Sequence, residues 1–197
     1  MYHYSKSLLK TLLVNNFSPF INDIKSIFNE FENVYECYNC DQIHAIDTNL
    51  DFLQEFDNVV LSGRQKNSAM INKINSRIVK GCLILDKPLL GICYGGQILA
   101  LTLGCTLKKI EKIRNTINID LVEPTPLLEG YKSVRMYESH NFCVSALSND
   151  FKLLGKSESC TNELFCFNNK PLYGTQFHPE KSGRHGKDLL QNFLKLR

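Results

Sequence analysis

The run Pro88-Leu89-Leu90-Gly91-Ile92 has the length and apolarity of a buried strand, and it ends on Cys93. The next residues, Tyr94-Gly95-Gly96-Gln97-Ile98-Leu99-Ala100, open a helix with no loop between. A strand that turns into a helix within one residue needs a sharp, strained corner. Gly91 and Gly95, two positions before and after the cysteine, remove the side chains that would collide there. This feature fixes the class of fold, because such an elbow works only in a sheet whose strands alternate with helices. It would also place a thiol at a helix N-terminus, where the dipole and unpaired N–H groups favour the thiolate. Alone, the pattern equally describes a buried cysteine among packing glycines.

The rest of the first half has the alternation that the elbow demands. Residues 9–14 read as a strand, and Ser18-Pro19 reads as the cap and first position of a helix. The inner face of that helix would carry Phe20, Ile24, Ile27, Phe28 and Phe31. Residues 33–38 and 57–62 read as further strands. Residues 68–85 read as a helix with Ile71, Ile74, Ile78 and Cys82 on one side. From residue 106 to 177 the chain changes to short alternating segments, RNTINIDLVE, KSVRMYES, ELFCFN and PLYGTQF, which suggest added antiparallel strands. An amphipathic helix over 184–196 would turn Leu189, Leu190, Phe193 and Leu194 inward. The expected fold is therefore α/β: a doubly wound, mostly parallel central sheet flanked by helices, with antiparallel strands in the C-terminal half. The 197 residues fit one domain, 1–197.

A second motif weighs for catalysis at Cys93. Tyr173-Gly174-Thr175-Gln176-Phe177-His178-Pro179-Glu180 delivers a histidine at a strand end, stopped by proline. A thiol nucleophile needs a base that works near neutral pH, and histidine is that residue. The base needs an orienting acceptor, which Glu180 can supply two residues on.

Other function classes find little support. A net charge of +3 is too small to argue for nucleic acid, and no basic run is interleaved with aromatics. No apolar stretch reaches the roughly 18 residues of a membrane span, and the N-terminus lacks a signal peptide's pattern, so a cytoplasmic chain is expected. The eight cysteines then read as free thiols. Cys37 and Cys40 form one CxxC pair that His44 could extend, but without a matching second pair no metal site is expected.

Taken together, Gly91-x-Cys93-x-Gly95-x-Gln97 and Phe177-His178-Pro179-Glu180 resemble the class I (triad) glutamine amidotransferases, a flavodoxin-like fold. The likeness runs over nearly the whole chain, including the loops Val14-Asn15-Asn16-Phe17-Ser18 and Leu61-Ser62-Gly63. The resemblance implies that Cys93, His178 and Glu180 release ammonia from the glutamine side chain through a glutamyl thioester. It further implies an oxyanion hole of the Gly63 and Tyr94 backbone N–H groups, and glutamine contacts from Gln97 and the Ser139-His140 segment. One departure stands out: the family usually reads Ser-Gly-Gly-Pro where this chain has Ser62-Gly63-Arg64-Gln65.

Within the family, Gly91 to Gly104 and Tyr137-Glu138-Ser139-His140-Asn141 look most like the glutaminase of GMP synthase. Lys181-Ser182-Gly183 is instead similar to the glutaminase of imidazole glycerol phosphate synthase. The glutaminases of anthranilate and aminodeoxychorismate synthase, and a γ-glutamyl hydrolase, are alternatives. No ATP-binding segment follows Glu180, so the resemblance implies a separate synthase subunit, namely an ATP pyrophosphatase for GMP. ATP and magnesium would belong to that partner, with no cofactor in this chain.

Overall fold

The computed structural model describes residues 9–46 and 51–196, with the backbone alone for 44–46. Among these residues nine strands form one sheet in the order β2-β1-β3-β4-β9-β8-β7-β5-β6. The strands are β1 Lys10–Asn16, β2 Val34–Asn39, β3 Asn58–Arg64, β4 Leu89–Ile92, β5 Thr106–Leu121, β6 Ser133–Ala146, β7 Phe151–Lys156, β8 Leu164–Phe167 and β9 Leu172–Thr175. The helices are α1 Ile21–Glu30, α2 Cys40–Ile46, α3 Ala69–Ile84, α4 Tyr94–Thr102 and α5 Gly183–Phe193.

β2, β1, β3, β4 and β9 run parallel, and the remaining pairings are antiparallel. The doubly wound reading therefore describes the molecule, with one correction. β9, carried by PLYGTQF, is antiparallel on one side only: it pairs antiparallel with β8 but in parallel with β4, from Leu89↔Leu172 to Ile92↔Thr175. Both of its neighbours bury it, and every residue from Leu172 to Thr175 is enclosed, as a central parallel strand requires.

Each face of the sheet carries its own apolar core. α3 and α4 supply Ile71, Ile74, Ile78, Ile98 and Leu99 to one; α1 and α5 supply Ile24, Phe28, Leu189, Leu190 and Phe193 to the other. The periodic residues of α3 and α5 are the buried ones, so apolar spacing set both faces. Ser68 caps α3 by accepting from the Ile71 N–H at 3.4 Å. α1 starts later than Ser18-Pro19 suggested. The Asn15 carboxamide accepts from the Ser18 N–H, and the Ser18 hydroxyl from the Phe20 N–H, which spends both residues on a turn before the helix. α2 and β7 were not legible in the sequence. No helix among the described residues is long and apolar enough to cross a membrane.

In the parallel half the order β2-β1-β3-β4-β9 reverses direction beside β1. Such sheets bind ligands at the carboxyl ends of the strands near this switch. The carboxyl ends of β1, β3, β4 and β9 lead directly to Asn16, Gly63, Cys93 and His178.

Candidate active site

Cys93 occupies the corner between β4 and α4 with φ +50° and ψ −103°, a left-handed conformation costly to a side-chain-bearing residue. Three neighbours keep the corner possible. A Cβ on Gly91 would lie 2.3 Å from the Gly95 carbonyl carbon, one on Gly95 2.3 Å from the Leu61 oxygen, and one on Gly96 2.6 Å from the Thr175 oxygen. The first two are the glycines the elbow motif asked for. The third lets α4 lie against β9.

His178 follows β9. Its N–H donates to the Tyr137 carbonyl at 2.8 Å, which ties the end of β9 to β6. Phe20 packs edge-on to the imidazole at 4.9 Å. Nδ1 faces Glu180 Oε1 at 2.8 Å, and both side chains are buried. This bond fixes the tautomer with Nδ1 carrying a proton and leaves Nε2 to exchange one. The Cys93 sulfur lies close enough to the same ring to raise it. Burial pushes the His178 imidazole down. The Glu180 carboxylate, its hydrogen bond to the ring and the nearby Cys93 sulfur outweigh it and hold His178 well above the usual histidine range. The structure thus joins Cys93, His178 and Glu180 in the order expected from sequence.

Gly63 lies over this group. A Cβ there would sit 3.0 Å from His178 Cε1 and 3.8 Å from Cys93 Cβ. Tyr94 is the first residue of α4, where a backbone N–H has no intrahelical acceptor. The two expected oxyanion donors therefore flank the thiol. Behind them is a buried amide network that the sequence did not disclose. The Asn16 N–H and carboxamide bind Ser62 Oγ and the Ser62 carbonyl at 2.9 and 3.0 Å, and Asn75 binds Asn16 at 2.7 Å.

The residues expected to hold glutamine are placed unequally. The Gln97 carboxamide donates to the Phe142 carbonyl at 2.7 Å and to Gln176 Oε1 at 3.2 Å. Gln176, unremarked in the sequence, donates onward to the Cys93 sulfur at 3.9 Å. Ser139 is half-buried on β6. The His140 imidazole is buried against Glu138, with Nε2 3.2 Å from Oε2, at an angle that makes an ion contact without a hydrogen bond. Glu163 completes this buried acidic group. Burial, followed by the neighbouring Glu138 carboxylate, pushes its carboxyl up to about 10, and Ser157 donates to it at 2.6 Å. A carboxyl that stays protonated at neutral pH carries no charge to repel Glu138, which is how two buried acids coexist.

The CxxC pair divides between the two cores: Cys37 packs on the α1/α5 side and Cys40 on the α3/α4 side. Burial, as the leading cause, raises both thiols, Cys40 to about 12. The His44 side chain lies outside the described residues. The described residues contain no cluster of three or more metal-ligating side chains.

The family model for glutamine amidotransferase class-I matches residues 12–196. A glutamine-hydrolyzing GMP synthase subunit from Pyrococcus abyssi is 38% identical over 112 residues, 55% of this chain and 60% of the relative. The alignment thus spans three fifths of that protein's length. The corresponding GMP synthase subunit from Sulfolobus acidocaldarius is 32% identical over 158 residues, 76% of this chain and 81% of the relative. Among solved structures, a Thermoplasma acidophilum protein provisionally assigned as a GMP synthase subunit superposes with a TM-score of 0.83 at 25% identity, covering 95% of this chain and 92% of the other.

Proposed function

The chain belongs to the class-I glutamine amidotransferases, and from that premise we propose that it hydrolyses the side-chain amide of glutamine and passes the ammonia to a synthase that makes GMP from XMP. The observation that carries the chemistry is the buried line from Cys93 through His178 to Glu180, with Gly63 and the start of α4 on either side of the sulfur.

In this reading the Cys93 thiol gives its proton to His178 Nε2 as Sγ attacks the amide carbon, and the carbonyl oxygen becomes an oxyanion held by the Gly63 and Tyr94 N–H groups. Each such donor lowers a barrier by about 3 kcal/mol. The C–N bond then breaks, and ammonia leaves with a proton from His178 Nε2. Water adds to the remaining glutamyl thioester as Nε2 takes its proton. The C–S bond breaks, glutamate departs, and the proton returns to the sulfur. Glu180 holds the imidazole orientation and balances its charge throughout. Gln97 and the Ser139-His140 segment hold the substrate.

The GMP assignment is supported by the names of the relatives, which are subunits of a glutamine-hydrolyzing GMP synthase. The partner we assign is an ATP pyrophosphatase subunit that binds ATP, magnesium and XMP, while this chain works in the cytoplasm without a cofactor of its own. The test combines the chain with such a partner, XMP, ATP, magnesium and either glutamine or ammonium. Glutamine-dependent GMP formation that Cys93→Ala abolishes, with the ammonium-dependent rate intact, is the expected result. Glutamate release that survives Cys93→Ala overturns the chemistry. Glutamate without GMP moves the ammonia to another acceptor.

A further inference from the structure

Arg64 occupies the position after Gly63 where a glycine is usual in the family, and an arginine on a surface loop would ordinarily be solvated. Here it is half-buried, and its guanidinium carbon lies 3.8 Å from the centroid of the Tyr94 ring. Nη1 donates to Asn72 Oδ1 at 2.6 Å, and the Tyr94 hydroxyl donates to the same oxygen at 2.9 Å. Asn72 sits in the first turn of α3, and its N–H binds the Ser68 carbonyl at 3.0 Å. One amide oxygen thus ties together the end of β3, the start of α3 and the start of α4.

We propose that Arg64 is a positioning residue that clamps the two oxyanion donors, Gly63 and Tyr94, into one rigid unit. The inference rests on the glutaminase reading of Cys93. The argument is geometric. Gly63 immediately precedes Arg64, and Tyr94 is the residue on which Arg64 stacks. A restraint between the Arg64 and Tyr94 side chains is therefore a restraint between the two N–H groups that must converge on one oxygen. Ser62 and Asn16 hold the loop from the β1 side, and the clamp holds it from the helix side. Glycine at position 64 could neither stack nor donate from a side chain, so this chain replaces a flexible loop with a stapled one. The charge acts in the same direction. Burial lowers the Arg64 guanidinium from its usual range, while Tyr94 and the Cys93 sulfur raise it. The sulfur therefore favours the charged form of the guanidinium. Only a planar guanidinium can stack and donate at once; an ammonium keeps the charge but loses the stack.

The test measures glutamate release, by the chain alone and with its synthase partner, for wild type, Arg64→Ala, Arg64→Met and Arg64→Lys, alongside amide hydrogen exchange. The clamp predicts that Arg64→Ala lowers kcat by roughly tenfold or more, in the range of losing part of an oxyanion contact, with KM within about twofold. Arg64→Lys recovers only part of kcat. If Arg64→Ala does not fold, Arg64→Met, which keeps the stem over Tyr94, carries the same expectation. A kcat within about twofold of wild type in the folded variants overturns the clamp, as does full recovery by lysine. Hydrogen exchange reads the clamp without turnover: faster exchange over residues 61–66 and 94–97 in the variants supports it, and unchanged exchange overturns it. Wild type that releases no glutamate under any condition counts against the glutaminase instead, so the two failures are separate.

Discussion

The Gln176 carboxamide lies 3.9 Å from the Cys93 sulfur and donates to it, while its own oxygen accepts from Gln97 at 3.2 Å. A single residue therefore links the nucleophile to the side chain expected to grip glutamine. Gln176 immediately follows the last residue of β9, and its N–H is fixed by the Glu163 carbonyl at 2.8 Å. Gln176→Leu removes a donor from a sulfur that carries charge during the reaction, at a cost of roughly 1.5–3 kcal/mol in the barrier. Glutamate release falls about tenfold or more in steady-state kinetics. Gln176→Glu, which sets a carboxylate against the sulfur, falls further.

Glu180 is the largest influence raising His178, so Glu180→Gln brings the imidazole down towards its ordinary value. The alkaline limit of protonated His178 moves to lower pH, followed by NMR of the imidazole Cε1 proton or by the pH profile of kcat/KM. The sign for stability follows from the raised folded value. The contribution is fully present below the unfolded pKa, about 6.5, and is lost as pH rises through the folded value. The stability gap between wild type and Glu180→Gln is therefore widest in acid and narrows as pH climbs. Denaturant melts from pH 5.5 to 9.5 measure it.

Glu163 gives a pH signature away from His178. Its carboxyl titrates at about 10 when folded and near 4.5 when unfolded. The folded state keeps a proton that the unfolded state gives up, so the Glu163 contribution weakens as pH rises from about 5 towards 10. Glu163→Gln keeps the size and polarity of the side chain and removes the titration. The variant gains stability relative to wild type across this range, seen in paired thermal melts. A constant difference between pH 5.5 and 9 refutes the raised Glu163 carboxyl.

A glycine far from the chemistry controls it through one carbonyl. A Cβ at Gly186, on α5, would lie 1.8 Å from the Pro179 oxygen. Gly186→Ala must push the Pro179–Glu180 turn away, costing about 1–3 kcal/mol of stability and misaligning Glu180 with His178. Both Tm and kcat fall. Gly183→Ala is the control: its Cβ meets nothing within 4 Å and only the positive φ is strained, so Tm drops modestly while kcat holds.

That Cys93, His178 and Glu180 come together was legible because each half is a local motif with its own physical reason: glycines around a strained corner, and a proline that stops a strand on a histidine. Helix faces were legible for the same reason, since the spacing of Ile71, Ile74 and Ile78 is itself the burial pattern. Strand direction was not legible. PLYGTQF has the apolar content of a strand, but nothing local says that it enters the sheet beside β4 in parallel. The residues found only in three dimensions are joined across the chain. Arg64 looks like a solvated loop residue until Tyr94, distant in sequence, lies beneath it. The Glu138 and Glu163 carboxyls carry the signature of surface residues until the fold encloses them.

The Cys93 N–H donates to the Thr175 carbonyl at 2.8 Å, across the seam between β4 and β9 at the middle of the sheet. The nucleophile and its base are thus mounted on two planks of one floor, with further strands nailed to both sides. Fraying at β2 or β6 leaves their separation untouched. Hydrogens at this seam exchange only when the whole floor lifts, so heat that erases the sulfur–imidazole contact has already erased the protein.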